Sequence, residues 1–171
     1  LVGRPGVGTT TVARAAADAV DADTVVVTGS SRLTDHPLAA AGIGGLVAPS
    51  TFADSAARVS MALRGLESRS GHTSLVLVEG WPQLDPWTAR LLVEGVRTRV
   101  VRLVVAAALD TPLGELGPLL ADDTLVRVLV PPLGDERLAA LAPTGTAPDL
   151  VQRALAVADG APLWFLQALR T

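Results

Sequence analysis

The sequence predicts an α/β fold, a doubly wound parallel sheet followed by a helical segment. Three observations predict this class. Short apolar runs rich in β-branched residues alternate with helical patterns, a glycine-rich turn precedes the first helix, and the apolar runs stop after Pro131-Pro132. Strands that are apolar along their whole length are buried on both faces, which is typical of parallel sheets covered by helices.

Apolar runs bounded by Gly, Pro, Asp or Ser are the predicted strands. They are Thr24–Gly29, Ser74–Gly80, Val100–Leu109 and Leu125–Val130. Only Leu1 and Val2 precede Gly3, so the strand that leads into the glycine-rich turn is truncated. We therefore expect the chain to be cut from a longer protein.

Helical patterns fill the intervals between these strands. They cover Thr10–Val20, Ala53–Ser68, Asp85–Thr98 and about Leu113–Ala121. Asp85-Pro86 gives the third of these helices an N-cap with proline in its first turn. Either Thr51 or Asp54 caps the second helix, and the pattern does not choose between them.

After residue 132 the sequence pattern predicts helices and no strand. The segments are Gly134–Leu141, Pro148–Val157 and Pro162–Arg170, with a short linker at 142–148. We therefore divide the chain into an α/β core at residues 1–132 and a helical lid segment at residues 133–171.

Composition excludes several function classes. The 171 residues carry a net charge of −3 with no basic cluster, so nucleic acid is not an expected direct partner. No apolar run reaches the roughly 18 residues that span a bilayer, and no secretion signal opens the sequence. The absence of cysteine excludes disulfides. We expect a cytoplasmic protein without a membrane partner.

The glycine-rich turn has the spacing of a phosphate-binding loop. Gly3, Gly8 and Thr10 fit G-x-x-x-x-G-K-[ST], but Thr9 stands where the lysine belongs. In such loops backbone amides converge on phosphate oxygens and the following helix adds its partial positive end. The candidate nucleotide-binding residues here are Gly3, Gly6, Val7, Gly8, Thr9, Thr10 and Thr11, with Val7 packed beneath the loop.

Thr9 has physical consequences for a bound nucleotide. Losing a charge-assisted hydrogen bond predicts binding weaker by about ten- to a hundredfold. All fourteen basic residues are arginine, so no lysine of this chain can replace the missing one. A plain glycine-rich turn that binds nothing is the alternative interpretation.

A second motif follows in "SLVLVEGWPQLDP". Its apolar run ends in Glu79-Gly80, where magnesium-holding acids stand in nucleotide-hydrolysing proteins. Thr10 and Glu79 are therefore the candidate magnesium ligands. The other interpretation, that Glu79 is a solvated acid at a strand end, stays open.

This stretch resembles "VDDAHWLDPAS" in the ATPase domain of large LuxR-type transcription regulators, which belong to the STAND branch of P-loop NTPases. Other pieces resemble the same domain in the same order. They are "LVGRPGVGTTTVARAA", "DHPLAAAGIGGLVAP", "VRLVVAAALDTP" and "ADGAPLWFLQALR". The resemblance covers essentially the whole chain, without the C-terminal helix-turn-helix of these regulators.

The resemblance implies a P-loop NTPase fold that binds ATP or ADP with Mg²⁺. It places Pro162 of the lid at the adenine, although Gly160–Pro162 could equally only break and restart a helix. The implied partners are other domains of a parent regulator or a second copy of the chain.

The departures from the family pattern concern chemistry. Thr9 replaces lysine, Glu79 replaces the magnesium-holding aspartate, and Gly80 replaces the second acid. Pro82 replaces a histidine, and Ala108 replaces the arginine of the sensor strand. Each group lost from a transition state lowers the rate on the order of a hundredfold or more. We therefore assign no catalytic residue and expect weak or absent nucleotide and magnesium binding.

The leading hypothesis is thus a degenerate nucleotide-binding regulatory or scaffold domain, a pseudo-ATPase. Three alternatives stay open. They are an active ATPase completed by a lysine or arginine of another subunit, a ParA/MinD-like ATPase, some of which carry "GVGTTT", and a pure protein-interaction domain.

Several conspicuous side chains receive ordinary structural assignments. We expect Trp81 and Trp87 to pack a loop and a helix, with stacking on adenine as the alternative. Trp164-Phe165 is assigned to the core of the lid. His36 and His72 lack metal-ligand spacing, and Arg4 is expected to face solvent.

Overall fold

The computed structural model describes residues 1–20, 24–47, 54–69, 74–112 and 114–170. Within these ranges four strands form one parallel sheet in the order β1-β4-β3-β2. The strands are β1 (Val2–Gly3), β2 (Thr24–Thr28), β3 (Ser74–Glu79) and β4 (Val101–Ala108). The predicted α/β class and its parallel sheet are confirmed.

Strand β3 is central because it pairs with β2 on one side and β4 on the other. Its residues Leu75–Val78 are almost fully buried. Burial on both faces explains why this strand is a continuous apolar run rather than an alternating one. The strand delivers Glu79 and Gly80 to the carboxyl edge of the sheet.

The predicted strand Leu125–Val130 is wrong in extent. Only Leu129 forms a bridge, to Val2, with the Val2 N–H donating to the Val128 carbonyl at 2.8 Å and the Val130 N–H donating to the Val2 carbonyl at 2.7 Å. Strand β1 has two described residues, so it offers little backbone for a longer ladder. Val126 is left 73% exposed.

The helices around the sheet follow the sequence prediction in most places. They are α1 (Thr9–Asp18), α2 (Ala39–Ile43), α3 (Ser55–Arg69), α4 (Pro86–Arg97) and α5 (Gly117–Ala121). Helix α2 was not predicted. The predicted helix at 113–121 is instead a 3₁₀ turn at Gly114–Leu116 followed by the short α5, and residue 113 lies outside the described residues.

The C-terminal part is helical as predicted, with α6 (Asp135–Ala139), α7 (Pro148–Ala158) and α8 (Pro162–Ala168). These helices share a cluster of buried side chains separate from that of the sheet, formed by Leu138, Ala154, Ala158 and Phe165. The domain boundary at residue 132 stays a prediction. Among the described helices, none has both the length and the apolar character needed to cross a membrane.

Two aspartates cap helices in different ways. The exposed Asp54 accepts the Ala56 N–H at 3.0 Å and is the observed cap of α3, whereas Thr51 lies outside the described residues. Asp85 caps α4 as predicted, accepting the Thr88 N–H at 2.8 Å and the Thr88 hydroxyl at 2.6 Å.

Asp85 also holds the start of α2. Its carboxylate accepts the backbone N–H groups of Leu38 at 2.8 Å and Ala40 at 3.4 Å. The side chain is completely buried, and these four hydrogen bonds come from backbone N–H groups and a hydroxyl, which carry no charge. One carboxylate therefore joins two helices that are 47 residues apart in sequence.

Replacing Asp85 by alanine should lower the free energy of unfolding by about 3 kcal/mol, because buried amide donors lose their acceptor. Urea denaturation followed by circular dichroism measures the change. Asp54→Ala is the matched control, since it removes an exposed cap worth about 1 kcal/mol. Equal losses in the two variants would contradict the bridging role of Asp85.

Candidate phosphate-binding site

The glycine-rich turn joins β1 to α1 through residues Arg4–Gly8. Gly6 and Gly8 have φ of 83° and 94°, a left-handed conformation that is readily accessible only to glycine. Gly8 is the N-cap of α1 and supplies no side-chain cap. The Val12 N–H donates to the Gly8 carbonyl at 2.9 Å, so the amides at 9–11 precede the helical ladder. The start of α1 is therefore open to an anion.

The interior of the loop is closely packed. Val7 is buried against Val130 and Ala161, which agrees with its predicted place beneath the loop. A Cβ atom added at Gly3 would lie 2.6 Å from Val7 Cγ2 and 2.7 Å from the hydroxyl oxygen of Thr9. The Thr9 side chain thus folds back over the end of β1.

A cleft of about 510 Å³ opens above the loop, a size typical of small-molecule sites. One wall is the loop and the start of α1, including Gly3, Gly6, Gly8, Thr9, Thr10 and Thr11. The other wall includes Gly80, Pro82, Gln83, Ala108, Thr111 and Leu163. The structure thus brings six of the predicted nucleotide-binding residues to one cleft, with Val7 below it.

The donors of this cleft are mostly neutral. Among the described residues that line it, Arg4 carries the charge, and the guanidinium pairs with Asp159 of the lid. Both side chains are exposed, as predicted for Arg4, and an exposed pair of this kind contributes little to stability. Hydroxyls, the Gln83 amide and backbone N–H groups supply the rest of the polarity.

Glu79 lies at the end of β3 and is held by an arginine of α1. The Arg14 guanidinium donates to both carboxylate oxygens, with Nε–Oε1 at 2.7 Å and Nη2–Oε2 at 3.1 Å. The hydrogen bond from Arg14 to Glu79, followed by the attraction of the two charges, raises the pKa of Arg14 above its ordinary value. Sequence reasoning missed Arg14, although Thr10 and Arg14 are four residues apart and share one face of α1.

The residues described here do not fit a magnesium site built on Glu79. Both oxygens of the carboxylate already accept hydrogen bonds from Arg14, and Gly80 has no side chain. In the described part of the chain, no group of three acidic or histidine side chains could hold a metal ion by itself. Thr10, the other predicted ligand, is exposed at the start of α1.

Gly80, which replaces the second acid of the motif, occupies a special backbone position. Its φ is 70°, and its carbonyl accepts the Gln83 N–H at 2.9 Å in the 3₁₀ turn Trp81–Gln83. A Cβ atom added there would lie 3.2 Å from the Gln83 side-chain oxygen. The backbone conformation therefore favours glycine at position 80. The polar side chain next to it in the cleft wall is Gln83, which the sequence analysis did not identify.

The lid touches the loop directly. The Leu163 N–H donates to the Gly6 carbonyl at 3.2 Å, and a Cβ atom added at Gly6 would lie 2.9 Å from Trp164 Nε1. Trp164 is 44% exposed, so its assignment to the lid core is wrong, whereas Phe165 is fully buried there. Successive side chains of a helix point in different directions, so Phe165 faces the interior of the lid while Trp164 lies beside Gly6.

Other sequence assignments have clear positions. Gly160 breaks the chain between α7 and α8 with φ of 76°, and Pro162 is the first residue of α8. The contact of Pro162 with adenine stays a prediction. Trp81 is buried and Trp87 packs against the same core, as expected. His36 is exposed, and His72 lies outside the described residues.

Gly3→Ala should destabilise the chain by about 2 kcal/mol, because the new methyl group overlaps Val7 and Thr9 in a packed interior. Thermal and urea unfolding measure the loss. Gly117→Ala is the control, because nothing lies within 4 Å of its added Cβ atom. An unchanged stability for Gly3→Ala would show that the loop is not closely packed in solution.

Comparison with known proteins supports the fold and leaves the family open. No known family profile matches the sequence, and no curated protein sequence matches it. The crystal structure of Cdc6p from Pyrobaculum aerophilum is similar, with a TM-score of 0.66 and 14% sequence identity. The similarity covers 98% of this chain and 52% of that one, so this chain spans about half its length. Together with the parallel sheet, the likeness supports the predicted α/β fold.

Proposed function

We propose that this chain is a nucleotide-binding regulatory domain that holds ATP or ADP weakly and hydrolyses it little or not at all. One observation carries the proposal. The backbone of the phosphate loop keeps a form suited to an anion, whereas the side chains that line the cleft are almost all neutral.

The binding part of the proposal rests on the start of α1. Its first amides have no partner within the helix, and they adjoin a cleft large enough for a nucleotide. A helix N-terminus attracts an anion with about 0.3–1 kcal/mol at exposed sites. Without a lysine at Thr9, these neutral contacts predict weak affinity.

The loss of turnover follows from the opposite wall. Gly80 provides no acid to activate water, and Ala108 provides no cation for the developing charge. Glu79 is paired with Arg14 and is not among the residues that line the cleft. Catalysis of phosphoryl transfer depends on positioned charges of this kind, so the cleft lacks the groups that lower the barrier.

The regulatory part of the proposal rests on the resemblance to large LuxR-type regulators and on the lid. Motifs in the family's order run from the loop to the lid, and α8 bonds directly to Gly6. Occupation of the cleft would change these contacts and so reach neighbouring domains of a parent regulator or a second copy of the chain.

Binding and turnover are tested separately. Labelled ATP and ADP should bind weakly and reversibly, with no steady phosphate release at dilute protein. Gly8→Asp should abolish binding, because a carboxylate at the start of α1 repels phosphate. A melting temperature that millimolar nucleotide leaves unchanged would contradict binding, since a ligand of the folded state must stabilise it. Steady turnover that Gly8→Asp removes would contradict the loss of chemistry.

Restoring the missing charge should strengthen binding. Thr9→Lys is expected to raise the affinity for ATP by about tenfold or more, because an ammonium group adds a charge-assisted hydrogen bond. Thr144→Lys is the control, since Thr144 is exposed and does not line the cleft. Equal gains in both variants would indicate a general charge effect and contradict a phosphate site at this loop.

A further inference from the structure

We propose that Arg14 occupies the carboxylate of Glu79, the acid next to Gly80 of the cleft wall, so that the chain takes nucleotide free of metal. The inference rests on the proposed nucleotide binding and defines the ligand class more narrowly: a nucleotide di- or triphosphate without a bound divalent cation. Arg14 is then a residue that determines specificity.

The geometry of the pair is the first argument. Arg14 presents Nε and Nη2 to the two oxygens of one carboxylate, at 2.7 and 3.1 Å. This two-point contact is the strong form of an arginine–carboxylate pair. The Glu79 side chain is only 17% exposed, and Arg14 donates to both of its oxygens, so little of the carboxylate is left open to an ion.

The needs of magnesium are the second argument. Mg²⁺ is bound through one or two carboxylates in near-octahedral geometry and retains several waters. At this edge of the sheet Glu79 is the acid that β3 supplies, because Gly80 follows it. A cation that bound one of its oxygens would lie close to a guanidinium, and the like charges would repel each other.

The position of Arg14 on α1 is the third argument. Thr10 and Arg14 are on one helical face, so the arginine is carried by the helix whose first turn forms the phosphate site. The pair therefore joins the two motifs directly, with no ion needed between α1 and β3. Arg14 thus neutralises the charge of Glu79, and the backbone N–H groups at the start of α1 stay open to phosphate.

The first experiment measures nucleotide affinity in EDTA and in excess MgCl₂. For the wild-type chain we expect the two affinities for ATP to agree within about twofold, a difference well under 1.4 kcal/mol. Arg14→Met should bind ATP about tenfold more tightly with magnesium than without it. Arg97→Met is the matched control, because Arg97 forms an ion pair with Glu94 on α4.

Two results of this experiment would overturn the proposal. One is wild-type binding that magnesium strengthens tenfold or more, which would mean that the Arg14–Glu79 pair does not keep the metal out of the site. The other is an Arg14→Met variant that stays indifferent to magnesium. The double variant Arg14→Met/Glu79→Gln should lose the gain, which ties the effect to this carboxylate.

The second experiment uses Mn²⁺ alone and does not depend on nucleotide binding. Electron paramagnetic resonance measures free Mn²⁺. At Mn²⁺ concentrations on the order of 1 mM, the wild-type chain should show no binding site. The Arg14→Met variant should show one, and adding Glu79→Gln to that variant should remove it. If ATP binds under no condition but Mn²⁺ behaves in this way, the proposed function fails and the role of Arg14 stands. A Glu79-dependent Mn²⁺ site in the wild-type chain, or none in Arg14→Met, would overturn that role. Thermal melting checks that each variant is folded.

Discussion

The form of the phosphate loop depends on the close approach of three backbone segments at the end of β1. Gly3 leaves no space for a methyl group beside Val7 and Thr9, and the carbonyl of Val130 approaches from the neighbouring segment. On the outer side Gly6 accepts a hydrogen bond from Leu163 of the lid. Packing of this density holds the loop without a ligand, because each segment restrains the other two. The form of the loop therefore does not depend on a bound ligand.

On the proposed function, this independence of the loop from a ligand accounts for the positions that differ from the regulators the sequence resembles. A lysine at Thr9 or an arginine at Ala108 would serve a ligand and contribute little to packing, so their replacement leaves the fold intact. Charged groups held in a cleft even lower stability in many enzymes, and losing them relieves that penalty. Gly80 is a different case. Its left-handed backbone belongs to the turn that leads to Asp85, and Asp85 joins α4 to α2. Here the loss of an acid coincides with a backbone form that favours glycine.

Local patterns predicted most of the fold, and contacts between distant residues decided the rest. Strands β2, β3 and β4 were predictable from their continuous apolar runs, and helix α4 from its Asp85-Pro86 cap, because these are features of neighbouring residues. Helix α2 was not, because it begins on a carboxylate 47 residues further along the chain. The strand expected at Leu125–Val130 depended on a partner, β1, that offers two residues. In the site, spacing alone located the loop, whereas the pairing of Arg14 with Glu79 joins positions 65 residues apart.

On the proposed function, the charge balance of the cleft also determines what it can report. A γ-phosphate adds negative charge that lysine and magnesium normally neutralise, and this cleft offers backbone amides and hydroxyls instead. The third phosphate then adds little binding free energy, since neutral hydrogen-bond donors contribute less than charged ones. Such a site responds to whether a nucleotide is present more than to its phosphorylation state. The signal would therefore arise from occupancy, carried by the contacts of Leu163 and Trp164 with Gly6, rather than from a cycle of hydrolysis.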